Sequence, residues 1–116
     1  MIVKYERDEN NCKIIRVTGP SHNYLEFDFG VPDFDQEVII EARSSGVLEV
    51  HGRFSDEFIH EQVKEGIREA NEILDQDYKI KRLVYFSTDT YSENIYHFLA
   101  FKLVKLFHED VPSFKN

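Results

Sequence analysis

The sequence predicts an α+β two-layer sandwich, with two helices covering one face of a single, about four-stranded, mostly antiparallel sheet. Three observations lead there. A long helical stripe begins at Ser55, a second ends near His108, and alternating apolar segments precede and separate them. A chain of 116 residues can bury one such core and is too short for two, so residues 1–116 read as a single domain. Hydrophobic content of 41%, with 10 Phe and 6 Tyr, is that of a folded protein rather than a disordered one.

Met1 to Glu6 is strand-like, the ERDENN run beside it is a polar turn, and Cys12 to Thr18 supplies β-branched Ile14, Ile15 and Val17. A hairpin is the economical reading. Gly19, Pro20, Ser21, His22 and Asn23 form a breaker cluster before YLEFDF, where Leu25, Phe27 and Phe29 alternate with Tyr24, Glu26 and Asp28. The apolar set must be buried. Gly30 and Pro32 end this strand, VPDFDQ is a loop, and Val38 to Ala42 is either a strand or an irregular edge segment. Leu48 and Val50 then oppose Glu49 and His51 in another strand pattern, weakened at Gly52.

Ser55 is a good N-cap, and Asp56 and Glu57 place negative charge at the positive end of the helix dipole. Ile59, Val63, Ile67, Ala70 and Leu74 form the apolar stripe. Gly66 interrupts it, at a cost of ~1 kcal/mol against Ala, so something packs close to its backbone, most simply a sheet beneath. The helix frays after Asp75, and Lys79 to Arg82 lead into LVYF, a buried strand. STDTYS is a short loop with Thr90 or Ser92 as the next N-cap. Ile95, Leu99, Leu103 and Leu106 line the second helix, widened by Phe98 and Phe107, with Lys102, Lys105 and His108 toward its negative end. Val111 to Asn116 is a tail with Pro112 as a stop.

Formal charge is −8, from 22 acidic and 14 basic residues, which disfavours non-specific binding to phosphate backbones. No apolar run approaches the ~20 residues a membrane span needs, and Met1 leads straight into IVKYE rather than a signal sequence. With Cys12 as the lone cysteine, the expected setting is the cytoplasm, with no membrane partner. Because Met1 directly precedes the first strand, a free-standing small protein is expected.

Neither GxGxxG nor GxxxxGK[ST] occurs, so no nucleotide is expected by those routes. His60-Glu61 starts like a zinc-protease helix, but Lys64 stands where the second His is needed. The other histidines lack partners at ligand spacing, and Cys12 lacks an activating base in sequence. Ser87, Thr88, Asp89 and Thr90 look like an active-site loop, yet no nucleophile elbow is present and helix capping explains them better. Asp33 with Asp35, and Asp75 with Asp77, are solvated charge in a chain this acidic. The expectation is therefore a non-enzymatic domain with no cofactor and no metal.

One alignment stands out. FSDEFIHEQVKEGIREA resembles a segment typical of the fourth domain of translation elongation factor G and of the tetracycline-resistance ribosomal protection proteins, matching at Glu57, Phe58, Ile59, Val63, Gly66, Ile67, Glu69 and Ala70. SENIYHFLAFKLVK from Ser92 is similar to that family's last helix, and KYERD around Tyr5 to Arg7 to its Y-R-E strand. Gly19 to Tyr24 aligns with its glycine-rich loop. The resemblance implies a four-stranded sheet under two helices, a left-handed strand-helix-strand crossover against the usual rule, and function through loops at one tip that reach into the ribosomal decoding site. Mapped here, the tip is Gly19, Ser21, His22 and Asn23 with Ser87, Thr88, Asp89 and Thr90. These loops depart from the family: one glycine remains, the second loop is shorter, and Asp89 adds negative charge where RNA would approach, which argues against direct RNA contact. Ribosome or translation-factor association is the leading expectation. The alternative is an acidic protein-binding module, an inhibitor or adaptor reusing the scaffold.

Overall fold

The computed structural model describes residues 2–18, 21–32, 37–43, 55–87, 89 and 94–116. Strands β1 (Ile2–Asp8) and β2 (Asn11–Thr18) form the expected hairpin. Its turn is Glu9 and Asn10, with Glu9 at a left-handed φ of 53°. β3 (Ser21–Phe29) continues antiparallel to β2 and is paired on its other side with β5 (Ile80–Phe86). Between them in sequence come β4 (Ile39–Arg43) and helix α1 (Asp56–Leu74), and α2 (Ile95–His108) and β6 (Phe114–Lys115) complete the chain.

The two-layer α+β class is as predicted, but the sheet is larger and mixed: six strands in the order β4-β5-β3-β2-β1-β6, with β4 parallel to β5. Two segments account for the difference. Val38 to Ala42, undecided by periodicity, yields an edge strand whose backbone pairs from Ile39↔Arg82 to Arg43↔Phe86. The expected C-terminal tail instead lays Phe114 against Tyr5, ring centroids 5.7 Å apart, and Asn116 N–H donates to the Val3 carbonyl at 2.9 Å. The part-buried Phe114 ring, the pairing with Lys4 and Tyr5, and the Arg7 N–H donating to Ser113 Oγ at 3.0 Å hold this short strand on the edge. The strand expected around Leu48 to Gly52 lies outside the described residues.

Register sorts the two faces of the sheet. Ala42, Tyr85, Leu25, Ile14, Tyr5 and Phe114 are cross-strand neighbours in one row spanning all strands, beneath the helices. On the other face the row Glu41, Val84, Glu26, Lys13 and Glu6 is polar except at Val84. The alternation of β3 therefore holds: Leu25, Phe27 and Phe29 are buried. α2 lies over the middle, burying Tyr96, Leu99, Ala100, Leu103 and Val104. α1 flanks it, burying Ile59, Val63, Gly66 and Ala70. Tyr85 ties both helices to the sheet face, donating to Asp56 Oδ1 at 2.7 Å and meeting the Tyr96 ring edge-on.

Ser55 caps α1 as its sequence indicates, its Oγ accepting from Phe58 N–H at 3.1 Å. Ser55→Ala is expected to cost ~1 kcal/mol, measured by urea unfolding. The start of α2 differs from expectation. It begins after Asn94, which has a φ of 63° and makes no side-chain cap bond; Thr90 and Ser92 lie outside the described residues. The cap comes instead from the neighbouring helix, where Gln62 Oε1 accepts from the backbone N–H of Tyr96 at 3.1 Å and of His97 at 3.3 Å.

Gly66 faces this same helix pair, not the sheet. A Cβ built there would lie 2.3 Å from the His97 carbonyl oxygen, 2.8 Å from Ala100 Cβ and 3.0 Å from Phe101 N. The glycine is needed because α2's backbone occupies the space a side chain would take.

Candidate functional site

Three of the residues predicted for the first tip loop are strand residues. Ser21, His22 and Asn23 pair with Thr18, Val17 and Arg16, so the β2–β3 connection contracts to residues 19 and 20. Pairing wins because it satisfies backbone groups that a longer loop would leave to water. His22 is exposed, Ser21 half-buried and Asn23 buried. From the second loop, Ser87 follows β5 and anchors to β4, its N–H donating to the Arg43 carbonyl at 2.9 Å. Gly19, Thr88 and Thr90 lie outside the described residues.

Asp89 joins the two segments. Its Oδ2 accepts from the Tyr24 backbone N–H at 2.8 Å and from the Tyr96 hydroxyl at 2.5 Å, and its own N–H donates to the Phe86 carbonyl at 3.0 Å. Asn23 makes a side-chain hydrogen bond to the same Tyr96 hydroxyl. The start of β3, the end of β5 and the first turn of α2 are thus held by one buried polar strut. This corrects the expectation that Asp89 sets negative charge on the tip surface: the side chain is turned inward and only 3% exposed.

Burial pushes the Asp89 carboxyl up to about 6, against the opposing pull of the Tyr96 hydroxyl, the Tyr24 N–H and the nearby His22. Burial and the adjacent carboxylate together push the Tyr96 hydroxyl far above its ordinary range. Asp89 Oδ1 is also buried, with no hydrogen-bond partner among the described residues. What remains outside at this end of the sheet includes His22 and Arg16, the latter donating to the neutral Thr18 Oγ1 at 3.3 Å. Asp56 and Glu57 lie on the helix side of the same end, where α1 begins.

A second polar cluster occupies the open face of the sheet. Arg82 bonds Asp28 at 3.1 Å, bridges to Glu41, and lies 3.7 Å from Glu26. Arg43 reaches Glu41 at 3.3 Å, and Asn11 Nδ2 donates to Glu26 at 2.8 Å and Asp28 at 2.7 Å. The Tyr24 hydroxyl donates to Glu26 as well. Glu26 is 7% exposed although it lies on the face away from the helices. Its neighbours cover it, with oppositely charged partners at hand, and Arg82 foremost holds Glu41 below the usual carboxylate range.

These clusters hold neighbouring segments of the fold together. The Cys12 thiol is fully buried, 3.5 Å from the Tyr5 hydroxyl, and burial pushes it up, so it stays protonated. His97 Nε2 meets Glu69 at 2.8 Å and His108 Nδ1 meets the Tyr78 hydroxyl at 2.8 Å, each on the helix layer. Among the described residues no group of three or more His, Cys, Asp or Glu converges on a common point, and no helix is long and apolar enough to cross a membrane.

Asn23 and Asp89 are among the residues expected from the sequence; Tyr96 and Gln62 are not. Neither has a local signature: each acts on backbone or side chains brought near it only by helix–helix and helix–sheet packing. No protein-family model, curated protein or solved structure matches the chain.

Proposed function

We propose that this chain is a non-catalytic, cytoplasmic docking domain resembling the fourth domain of elongation factor G, and that it associates with the ribosome or a translation factor through the end of the sheet bearing His22, Ser21 and Ser87. The supporting observation is the Asp89 strut. It brings together the two segments that the resemblance pairs as a tip and withdraws the carboxylate that argued against an RNA-facing surface. Arg16 and His22 then supply the donors a phosphate would meet. The strand-helix-strand crossover that the resemblance implies, left-handed in sense, is proposed to be the parallel β4–α1–β5 connection.

Cosedimentation with ribosomes on sucrose gradients tests the reading. The protein is expected in ribosomal fractions at low salt and to be released as salt is raised, because exposed charge contacts are screened beyond ~10 Å at 0.1 M. Absence from those fractions at low salt counts against it.

A second reading rests on a different observation: α1 carries exposed Glu57, Glu61, Glu65 and Glu72 on the flank away from its buried stripe. An acidic module would use that flank against a basic protein. In that case the chain stays out of ribosomal fractions and is retained on a cationic partner in a salt-sensitive manner.

A further inference from the structure

At the end of the fold opposite the proposed tip, α1 stands off the sheet over a groove of about 470 Å³. Its floor is apolar, made by Val38, Val63, Ile67 and Ile80, with Tyr78 alongside. That volume lies within the ~300–1,000 Å³ typical of small-molecule sites, which are likewise mostly apolar with a few polar groups.

Charge is segregated along the wall. His60, Lys64 and Arg68 also line the groove and follow one another at four-residue steps, so they form a single ridge of α1. Glu61, Glu65 and Glu72 fall on the far flank of that ridge, and Lys79 faces it from the strand side, where Asp77 also lines the groove. In a chain of net charge −8, the helix wall of the groove thus presents His60, Lys64 and Arg68 and no carboxylate. The ridge cations are paired, Lys64 with Glu61 at 2.8 Å and Arg68 with Glu65 at 3.1 Å and Glu72 at 3.0 Å, while Lys79 lies 3.8 Å from Asp77. All are exposed pairs of the kind that contribute little, so the cations are free to turn toward an incoming anion.

We propose that this groove binds a single-chain amphipathic carboxylate, with the aliphatic body on Val38, Val63, Ile67 and Ile80 and the carboxylate against Lys64 and Arg68. One cationic wall beside one apolar floor fits a ligand with one anionic head and one apolar body. The site is independent of the tip and of the reading given to it, since it lies at the Ile80 end of β5 and the tip at the Phe86 end.

Titration with dodecanoate, followed by isothermal calorimetry and by amide chemical-shift mapping, is the test, with dodecanol and acetate as the body and the head alone. Saturable dodecanoate binding is expected, with shifts at Val63, Ile67 and Ile80. Dodecanol and acetate are each expected to bind at least roughly tenfold more weakly, dodecanol because a charge-assisted hydrogen bond is worth that factor or more, and acetate because it lacks the methylenes whose burial each adds to binding. Lys64→Glu with Arg68→Glu, both at exposed positions, is expected to weaken dodecanoate by a similar factor while leaving the circular dichroism spectrum unchanged. Lys102→Glu with Lys105→Glu, the same charge change on α2, is expected to leave binding within twofold. No saturable binding, equal binding of dodecanol, shifts confined to another surface, or equal loss in both charge-reversed pairs would each overturn the proposal.

Discussion

Gly66→Ala is expected to lower the melting temperature by roughly 10 °C, although alanine is the better helix former. Two effects oppose each other. Replacing glycine inside α1 gains ~1 kcal/mol of helix propensity. Against it, the new Cβ would lie 2.3 Å from the His97 carbonyl oxygen and 2.8 Å from Ala100 Cβ. The obstructing groups belong to the backbone and first side-chain atom of α2, which cannot swing aside as a long side chain can. Relief requires the helices to separate, at the upper end of the ~1–3 kcal/mol typical of overpacking. The net loss is ~2 kcal/mol, and for a domain near this size each kcal/mol moves the midpoint by about 4–8 °C. Gly66→Leu should be worse. Glu65→Ala, one residue away on the exposed flank, should change stability by less than ~0.5 kcal/mol. An unchanged or raised melting temperature for Gly66→Ala would show that the two helices are not in backbone contact there.

Asp89→Asn is expected to stabilise the protein at pH 8 and to remove a distinctive pH dependence. In the folded state the Asp89 carboxyl is raised from 3.8 to about 6. A raised acid favours its protonated form in the folded state, so its contribution is fully present below about pH 4 and is lost as pH rises through about 6. This is opposite in sign to the usual carboxylate, whose stabilising contribution is lost on acidification. The difference between the two limits is on the order of 3 kcal/mol, at 1.36 kcal/mol per pKa unit. Asparagine keeps an acceptor for Tyr24 N–H and the Tyr96 hydroxyl and carries no charge, so it imitates the protonated acid. Urea unfolding of both proteins from pH 4 to pH 8 should give curves that agree at pH 4 and diverge toward pH 8, with the variant more stable. Parallel curves would mean that Asp89 does not titrate in this range.

Much of the architecture follows from local pattern. The stripe from Ile59 to Leu74, the Ser55 cap and the alternation through Leu25, Phe27 and Phe29 each depend on residues close in sequence, and each is found as expected. The features that escaped depend on partners far along the chain. β6 exists because Phe114 finds Tyr5, the start of α2 is held by Gln62, and Gly66 answers to Ala100 rather than to the sheet. The same division applies to the candidate site. Breaker residues and polar clusters marked Gly19 to Asn23 and the STDTYS run as non-regular segments, and only the resemblance paired them as one tip. That Asp89 turns inward was illegible, because its burial depends on Tyr96 arriving from α2 and on the Tyr24 N–H being left free by β3. Glu26 makes the same point on the open face, where alternation marks it as solvated and a surrounding set of Arg, Asn and Tyr side chains encloses it.

The central claim is that the end of the sheet bearing His22 is the docking surface, and photo-crosslinking tests it most directly. A benzophenone amino acid placed at exposed position 22, and separately at exposed position 72 on the acidic flank of α1, would be irradiated with ribosomes at low salt. Crosslinks to the small ribosomal subunit or a bound translation factor are expected from position 22 and none from position 72. Crosslinks from position 72 alone, or from neither position, would contradict that claim.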